Sequence, residues 1–304
     1  MYTKKNHAPR SWMLVAGCLG LLLSILISHP ASQAAEPGRG DAVSGEPDRP
    51  VTFCAMGDVP YVPAEDVLLP RQIAELPPDI DFAVHVGDIK SGAAPCEESI
   101  YVKVSGMLSA AARPVFIIPG DNEWNDCVSP EPDQAWQYWK KHMMRLDQRW
   151  QHDLPVFRQL NREENFSFVR GRVLFVGLNI VGGRVHDAAE WKQRHSLCLN
   201  WVRRNLIQFG EQVSSLVVFG HAKPAASHKD FFDSFSEVAE QFDKPILYLH
   251  GDGHRWIHDR PFAAQNILRV QVDQGGTAPP LRVTVTDHPT APFVFDRRNG
   301  KSVE

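Results

Sequence analysis

The chain has 304 residues, a formal net charge of −4, 43% hydrophobic residues and 22% charged residues. These are ordinary globular values, and they allow a sizeable core. No basic run dominates any region, so we expect no nucleic acid as a partner.

The N-terminus has the order of a secretory signal peptide. Basic residues precede an apolar run over 12–27, and small residues follow at 32–35. This pattern predicts a signal peptide over 1–35, cleaved after Ala34, and a periplasmic or secreted protein. The run is shorter than the ~20 residues of a membrane span, so we expect no stable span after cleavage. A lipoprotein is less favoured, because the apolar run continues past the lipobox-like segment that ends at Cys18.

The rest of the chain alternates between strand and helix patterns. Residues 36–50 are rich in Gly, Pro, Asp and Glu, which predicts a disordered linker. Strand-length apolar runs lie at 51–56, 82–86, 115–118, 173–178, 216–219 and 246–249, with two-residue alternation at 267–272 and 281–286. Helical patterns lie at 64–76, 97–112, 133–146, 188–207 and 230–242. The order predicts one α/β domain over 51–304, with a parallel sheet flanked by helices in its first half and further strands in its second.

Five of these apolar runs end in a few polar residues. The ends are Met56-Gly57-Asp58, Val86-Gly87-Asp88, Ile118-Pro119-Gly120-Asp121-Asn122-Glu123, Phe219-Gly220-His221 and Leu249-His250-Gly251-Asp252-Gly253-His254. Ligands of open α/β sheets bind outside the carboxyl ends of the strands. A single aspartate there is typically a helix cap, but the ordered repetition favours a site for divalent cations.

The ordered set resembles the five-block signature of calcineurin-like metallophosphoesterases. The resemblance covers nearly all of the chain after the predicted linker. It implies a four-layer α/β/β/α sandwich with one or two metal ions at the strand ends. It also implies hydrolysis of phosphomonoesters or phosphodiesters, in which a metal-activated water attacks the phosphorus of a small phosphorylated substrate.

Three blocks depart from the family pattern. Pro60 stands where the first block has a histidine, and Asp252 stands at the first histidine of the fifth block. In the third block, Asp121 stands at the metal-binding asparagine and Asn122 at the catalytic histidine. The missing first-block histidine weakens the first metal site, so a mononuclear centre stays open.

The resemblance implies six metal ligands. They are Asp58, Asp88, Asp121, His221, Asp252 and His254. Asp88 would bridge two ions, with Asp58 and His254 on the first and the others on the second. Such an oxygen-rich set favours Mn²⁺, Fe²⁺ or Mg²⁺ over Zn²⁺, with Ca²⁺ conceivable. A one-residue register shift would bring His250 to the metal instead of Asp252, and the sequence does not decide between them.

The proton donor to the leaving group stays open. An asparagine at 122 is not a general acid, so Glu123, His250 and a metal-bound water are the candidates. Lys90 and Arg255 follow metal blocks and are candidate phosphate ligands, although solvated surface charge is the commoner fate of such residues.

Tyr61, three residues after Asp58, is interpreted as a substrate-pocket or packing residue, and His85 as a buried, hydrogen-bonded core histidine.

The cysteines suggest one disulfide. If Cys18 leaves with the signal peptide, Cys54, Cys96, Cys127 and Cys198 remain in an oxidising compartment and allow three pairings. We expect Cys96–Cys127, because both cysteines follow the ends of adjacent predicted strands. The alternative is that all four cysteines are unpaired and pack as small, buried apolar side chains.

Two other functions were weighed. A non-catalytic, metal-stabilised binding protein on the same fold is favoured by Pro60 and Asn122, whereas the ordered retention of the other block residues favours an enzyme. A metal-dependent nuclease is disfavoured because the sequence shows no basic groove. The sequence indicates neither the substrate nor the oligomeric state.

Overall fold

The computed structural model describes residues 43–44 and 49–298. Its strands are β1 (Val43–Ser44), β2 (Val51–Met56), β3 (Phe82–His85), β4 (Val115–Ile117), β5 (Phe157–Gln159), β6 (Arg162–Arg170), β7 (Val173–Gly177), β8 (Ser215–Phe219), β9 (Ile246–His250), β10 (Ile257–Asp259), β11 (Ile267–Gln271), β12 (Leu281–Val285) and β13 (Phe293–Asp296). Its α-helices are α1 (Glu65–Ala74), α2 (Glu98–Leu108), α3 (Pro132–His142), α4 (Ala188–Phe209) and α5 (Lys229–Phe242). Two short 3₁₀ helices span Leu146–Arg149 and Ala226–His228.

The N-terminal predictions fall mostly outside this description. The predicted signal peptide, 1–35, lies outside the described residues, as does most of the predicted linker, 36–50. Within that linker, β1 pairs in parallel with the end of β6.

The strands form two sheets. The first has the order β13-β12-β2-β3-β4, in which β2, β3 and β4 are parallel and β12 is antiparallel to β2. The second has the order β1-β6-β7-β8-β9-β11-β10, with β5 beside β6. Here β7, β8, β9 and β11 are parallel. The carboxyl ends of the parallel strands carry the five predicted site blocks.

The alternation of side chains along the strands creates the layers. Alternate residues such as Phe53, Phe82 and Phe175 fill a buried core between the two sheets, to which none of the described helices contributes. The other face of the first sheet packs with α1, α2 and α3, and the other face of the second packs with α4 and α5. The predicted α/β/β/α sandwich is therefore confirmed. Truncation of such a core phenylalanine to alanine costs about 3–5 kcal/mol.

Local signals fix the helix ends. Asp187 caps α4, because its carboxylate accepts hydrogen bonds from the N–H groups of Ala189 and Glu190. Pro132 begins α3, where its missing N–H costs nothing, and three basic residues lie in the last turn. Among the described residues, none of the helices combines the length and the apolar character that a membrane crossing requires.

Candidate metal centre

The loops after β2 and β3 hold Asp58 and Asp88 side by side. Both have a left-handed backbone, with φ of 56° and 62°. The N–H of Asp58 donates to the carbonyl of Gly87, and the N–H of Val59 donates to the carbonyl of Asp88, both at 3.0 Å. Such backbone conformations are uncommon for residues other than glycine and persist only where the surroundings hold them. The two loops thus constrain each other, and with them the two carboxylates.

His221, directly after β8, is fully buried and held through one ring nitrogen. Its Nδ1 donates to the carbonyl of Val86 at 2.7 Å. Its Nε2 lies 3.0 Å from Oδ1 of Asp121 and 3.3 Å from Oδ1 of Asp88. Metal-binding histidines are typically fixed in this way by a hydrogen bond from the second nitrogen.

The electrostatics around His221 favour a cation. Burial lowers the pKa of His221, but the carboxylates of Asp88 and Asp121 outweigh burial and raise the pKa well above its ordinary value. A carboxylate pair that holds a proton on Nε2 also attracts a metal ion to the same position, in exchange for that proton.

Two overlapping groups of ligand atoms meet at this histidine. Asp58, Asp88 and His221 form one, and Asp121, His221 and Asp252 form the other, with the ligand atoms of each group within 4.8 Å of one another. The structure thus brings together five of the six predicted ligands.

The sixth predicted ligand, His254, lies at the edge of the first group. Its Nε2 is 3.3 Å from Oδ1 of Asp58, and its side chain is 46% exposed.

Three buried atoms of the centre fit a metal ion. Oδ2 of Asp58 has no hydrogen-bond partner among the described residues, and Oδ1 of Asp121 and Nε2 of His221 face each other only as an ion pair at 3.0 Å. Burying such groups without a partner is costly, and a bound cation would remove that cost. Because most of the donors are carboxylate oxygens, the set suits a hard or borderline divalent cation.

Tyr61, expected to be a substrate-pocket or packing residue, contacts three of the predicted ligands on one side of the centre. Its hydroxyl donates to Oδ2 of Asp88 at 2.7 Å, and it lies 3.3 Å from Oδ1 of Asp58 and 3.2 Å from Nε2 of His254. Burial first, and then the nearby carboxylates of Asp88 and Asp58, raise the pKa of Tyr61. The hydroxyl therefore keeps its proton.

Asn122, at the position of the family's catalytic histidine, orients Asp88. Its backbone N–H donates to Oδ1 of Asp88 at 3.1 Å, and its side-chain amide donates to Oδ2 at 2.5 Å.

Glu123 lies beneath the centre and braces its loops. It is fully buried, and Oε1 accepts from the N–H groups of Gly120 at 2.6 Å and Asp88 at 3.2 Å. Its Oε2 accepts from the N–H of Ile89 at 3.3 Å. Burial and then Asp88 raise the pKa of Glu123 to about 8. These contacts assign it a positioning role.

His250 faces away from both ligand groups. The alternation along β9 places it on the side of Tyr248, and the two ring centroids are 5.3 Å apart. Its Nδ1 lies 2.8 Å from the carbonyl of Gly251, and burial lowers its pKa to about 3. Of the two alternatives at this block, Asp252 joins a ligand group and His250 does not.

Of the two predicted phosphate ligands, Lys90 is engaged by backbone carbonyls, and a further lysine lies beside a ligand group. Lys90 is buried, and its ammonium donates to the carbonyls of Ser91 and Ala94 at 3.0 and 2.9 Å. Arg255 has an exposed side chain. Lys223 was not singled out, but its Nζ lies 3.2 Å from Oδ2 of Asp252. Its position two residues after a block, the same offset as Lys90, is a signal that was available in the sequence.

Cys96 and Cys127, the predicted pair, form a disulfide with a Cα–Cα distance of 6.0 Å. Their sulfur atoms lie 3.5 and 3.7 Å from the carbonyl oxygen of Asn122. The disulfide therefore anchors the loop that orients Asp88. Cys54 and Cys198 are buried free thiols.

No family model and no curated protein matches the sequence. Among solved structures, the purple acid phosphatase PPD1 from yellow lupin seeds matches with a TM-score of 0.51 and 13% identity, over 84% of this chain and 53% of that chain. The 5'-nucleotidase from Candida albicans matches with a TM-score of 0.51 and 13% identity, over 81% of this chain and 50% of that chain. The chain thus spans about half the length of these proteins, and at this identity the likeness concerns the fold alone. The family resemblance read from the sequence is confirmed at that level: the chain has the calcineurin-like metallophosphoesterase fold.

Proposed function

We propose that the chain is an exported, metal-dependent hydrolase of phosphomonoesters or phosphodiesters. The observation that carries the proposal is the convergence of ligand atoms of Asp58, Asp88, Asp121 and Asp252 on the buried His221, whose Nε2 lies 3.0 Å from Oδ1 of Asp121 and 3.3 Å from Oδ1 of Asp88. The two solved structures of the same fold are named as a phosphatase and a nucleotidase, which makes phosphate esters the first substrate class to test.

A divalent cation bound at this centre, with Mn²⁺, Fe²⁺ or Mg²⁺ favoured by the oxygen-rich donors, would lower the pKa of a bound water and neutralise phosphoryl charge. The chain's own residues hold and orient the site. His221 is fixed by Val86, and Asp88 is fixed by Asn122. The ammonium of Lys223 lies on the exposed side of Asp252, where it can attract a phosphoryl oxygen.

In this proposal, the proton donor to the leaving group is an exposed side chain and not one of the buried candidates, Glu123 and His250. Lys223 and His254 are about half exposed beside the ligand groups, whereas Glu123 and His250 are fully buried. We therefore propose that the leaving group departs on the side of these two residues.

The test is hydrolysis of p-nitrophenyl phosphate and bis-p-nitrophenyl phosphate by the full chain supplied with each cation in turn. We expect turnover of at least one ester and a loss of about 100-fold or more in Asp88→Asn. Asp66→Asn is the matched control, since Asp66 forms an exposed ion pair with Lys103 and should keep full activity.

Full turnover in Asp88→Asn would reject the mechanism. Absence of wild-type turnover with every cation and both esters would favour the metal-stabilised binding protein. The export part of the proposal is tested separately, by the N-terminal mass of protein recovered from the periplasm, which should correspond to cleavage after Ala34.

A further inference from the structure

The carboxylate oxygens of the centre divide into two sets. On the side of Tyr61, Oδ1 of Asp58 accepts from the N–H of Asp252 at 3.1 Å and lies 3.3 Å from the Tyr61 hydroxyl. Oδ2 of Asp88, on the same side, accepts from Tyr61 and from Asn122. The other oxygen of Asp58, Oδ2, has no hydrogen-bond partner among the described residues. The Asp58 oxygen whose lone pairs are left for a cation is therefore the one that Tyr61 does not contact, and Asp58 belongs to the ligand group that contains Asp88 and His221.

The contacts of Asp88 oppose a bridging role. A bridging carboxylate offers one oxygen to each of two ions. The two lone pairs of Oδ2 already receive the hydrogen bonds of Tyr61 and Asn122, at 2.7 and 2.5 Å. Oδ1 accepts one hydrogen bond, from the N–H of Asn122 at 3.1 Å, so it keeps a lone pair, and it lies 3.3 Å from Nε2 of His221.

The ligand set also converges on a single residue. Both three-residue groups share His221. Its Nδ1 is bound to Val86, so Nε2 has one lone pair, and one lone pair binds one metal ion.

The position beside Asp58 is filled by the chain itself. Tyr61 places its hydroxyl within 3.3 Å of Asp58, Asp88 and His254 atoms, and its ring meets that of His254 edge-on at 5.4 Å. The first block also has Pro60, which has no side-chain ligand to offer, where the resemblance expects a histidine.

We propose that the centre holds one divalent cation, bound around Nε2 of His221, and that the Tyr61 hydroxyl takes the place of a second ion beside Asp58. The inference rests on the proposed function and specifies its metal count. Tyr61 is then a positioning residue, because it holds Asp88 by a hydrogen bond and does not coordinate the metal ion.

The test is Mn²⁺ titration of the metal-depleted full chain, with stoichiometry from calorimetry and the nature of the site from electron paramagnetic resonance. We expect one Mn²⁺ per chain and the six-line spectrum of an isolated ion at saturation. Tyr61→Phe should still bind one ion with a dissociation constant within about threefold of wild type. Asp121→Asn should weaken binding at least tenfold, with circular dichroism confirming that both variants are folded.

Two ions per wild-type chain, a spin-coupled manganese pair, or loss of the ion in Tyr61→Phe would overturn the inference. Because wild type and Tyr61→Phe decide the question, a failure of Asp121→Asn to fold does not affect it. One bound ion without hydrolysis of either ester would reject the proposed function and leave the inference standing. Two bound ions together with hydrolysis would reject the inference and leave the proposed function standing. Absence of bound Mn²⁺ would also reject the inference.

Discussion

The ammonium group of Lys223 lies 3.2 Å from Oδ2 of Asp252, and the Lys223 side chain is 52% exposed. Asp252 belongs to the same ligand group as His221, so the lysine places a positive charge directly beside the candidate metal position. Charge-assisted hydrogen bonds to phosphate oxygens are among the stronger polar contacts of proteins. Under the proposed function, Lys223 is thus placed to bind a phosphoryl group of the substrate.

We predict that Lys223→Ala raises KM for p-nitrophenyl phosphate about tenfold, with a smaller effect on kcat. The physical reason is that a hydrogen bond to a charged group contributes about 1.5–3 kcal/mol of binding free energy. Because Lys223 is exposed to solvent, we expect a contribution at the lower end of this range. Steady-state kinetics separate the two constants.

Lys229→Ala is the matched control, because that lysine is exposed and pairs with Asp233 on α5. An unchanged KM in Lys223→Ala, or an equal rise in Lys229→Ala, would contradict the assignment.

The sequence predicted the parts of the site that depend on local order. Each block residue follows the end of a parallel strand, so chain order alone brought Asp58, Asp88 and His221 to one edge of the sheets. The role of Tyr61 depends on contacts between loops that are 27 and 193 residues apart in sequence. No local pattern reports such contacts, which is why Tyr61 was interpreted as a pocket or packing residue.

Strand faces explain two other outcomes. His85 was expected to be a buried, hydrogen-bonded histidine, and this is confirmed, since its Nε2 lies 3.0 Å from the carbonyl of Val59. His250 could not be distinguished from Asp252 by sequence, because the end of β9 decides which side chain faces the centre. That end is set by pairing with its neighbours rather than by composition.

Strand β6, which the sequence patterns did not predict, has polar residues at buried positions. In β6, Glu164, Asn165 and Ser167 are buried, although their side chains interrupt any apolar run. Asn165 donates to Oε1 of Gln159 and accepts from the N–H of Asn179, each at 2.7 Å. Because these partners come from other segments, the tertiary structure satisfies the amide of Asn165, a polar side chain that interrupts the apolar pattern in the sequence.

We predict that Gly120→Ala lowers hydrolysis by about 100-fold or more and also lowers the melting temperature. A Cβ at this position would lie 2.2 Å from both N and Oδ1 of Asp88, so the carboxylate must move. Activity and thermal unfolding measured on the same preparation test the prediction.

Gly106→Ala serves as the control for an added methyl group. Gly106 lies in α2, and its Cβ would meet nothing within 4 Å. We expect unchanged activity and a gain of about 0.5–1 kcal/mol in the free energy of unfolding, since alanine is the better helix former. Full activity in Gly120→Ala would show that Asp88 tolerates displacement.

We predict that Cys54 and Cys198 are unreactive in the native protein. Burial raises the pKa of each thiol to about 12, so only ~10⁻⁴ of either is thiolate at pH 8. Ellman's reagent should label neither residue at that pH and both after unfolding in guanidinium chloride without reductant. Rapid labelling of the native protein, located by peptide mapping, would contradict the burial of these side chains.

The disulfide is expected to contribute to both stability and activity. It closes a loop with a sequence separation of 31, for which loop-closure entropy corresponds to about 2–4 kcal/mol of the free energy of unfolding. Cys96→Ala combined with Cys127→Ala should show that loss in urea denaturation. Activity should also fall, because both sulfur atoms contact the carbonyl of Asn122, whose amide groups orient Asp88.

Dithiothreitol separates the effect of the bond from that of the side chains. It should destabilise the wild-type protein by a similar amount and leave the double variant unchanged. A thiol count shows whether the bond has been reduced. If the bond were reduced and wild-type stability were unaffected, the disulfide would not contribute to the free energy of unfolding. The position of Asn122 would then be set by the surrounding core alone.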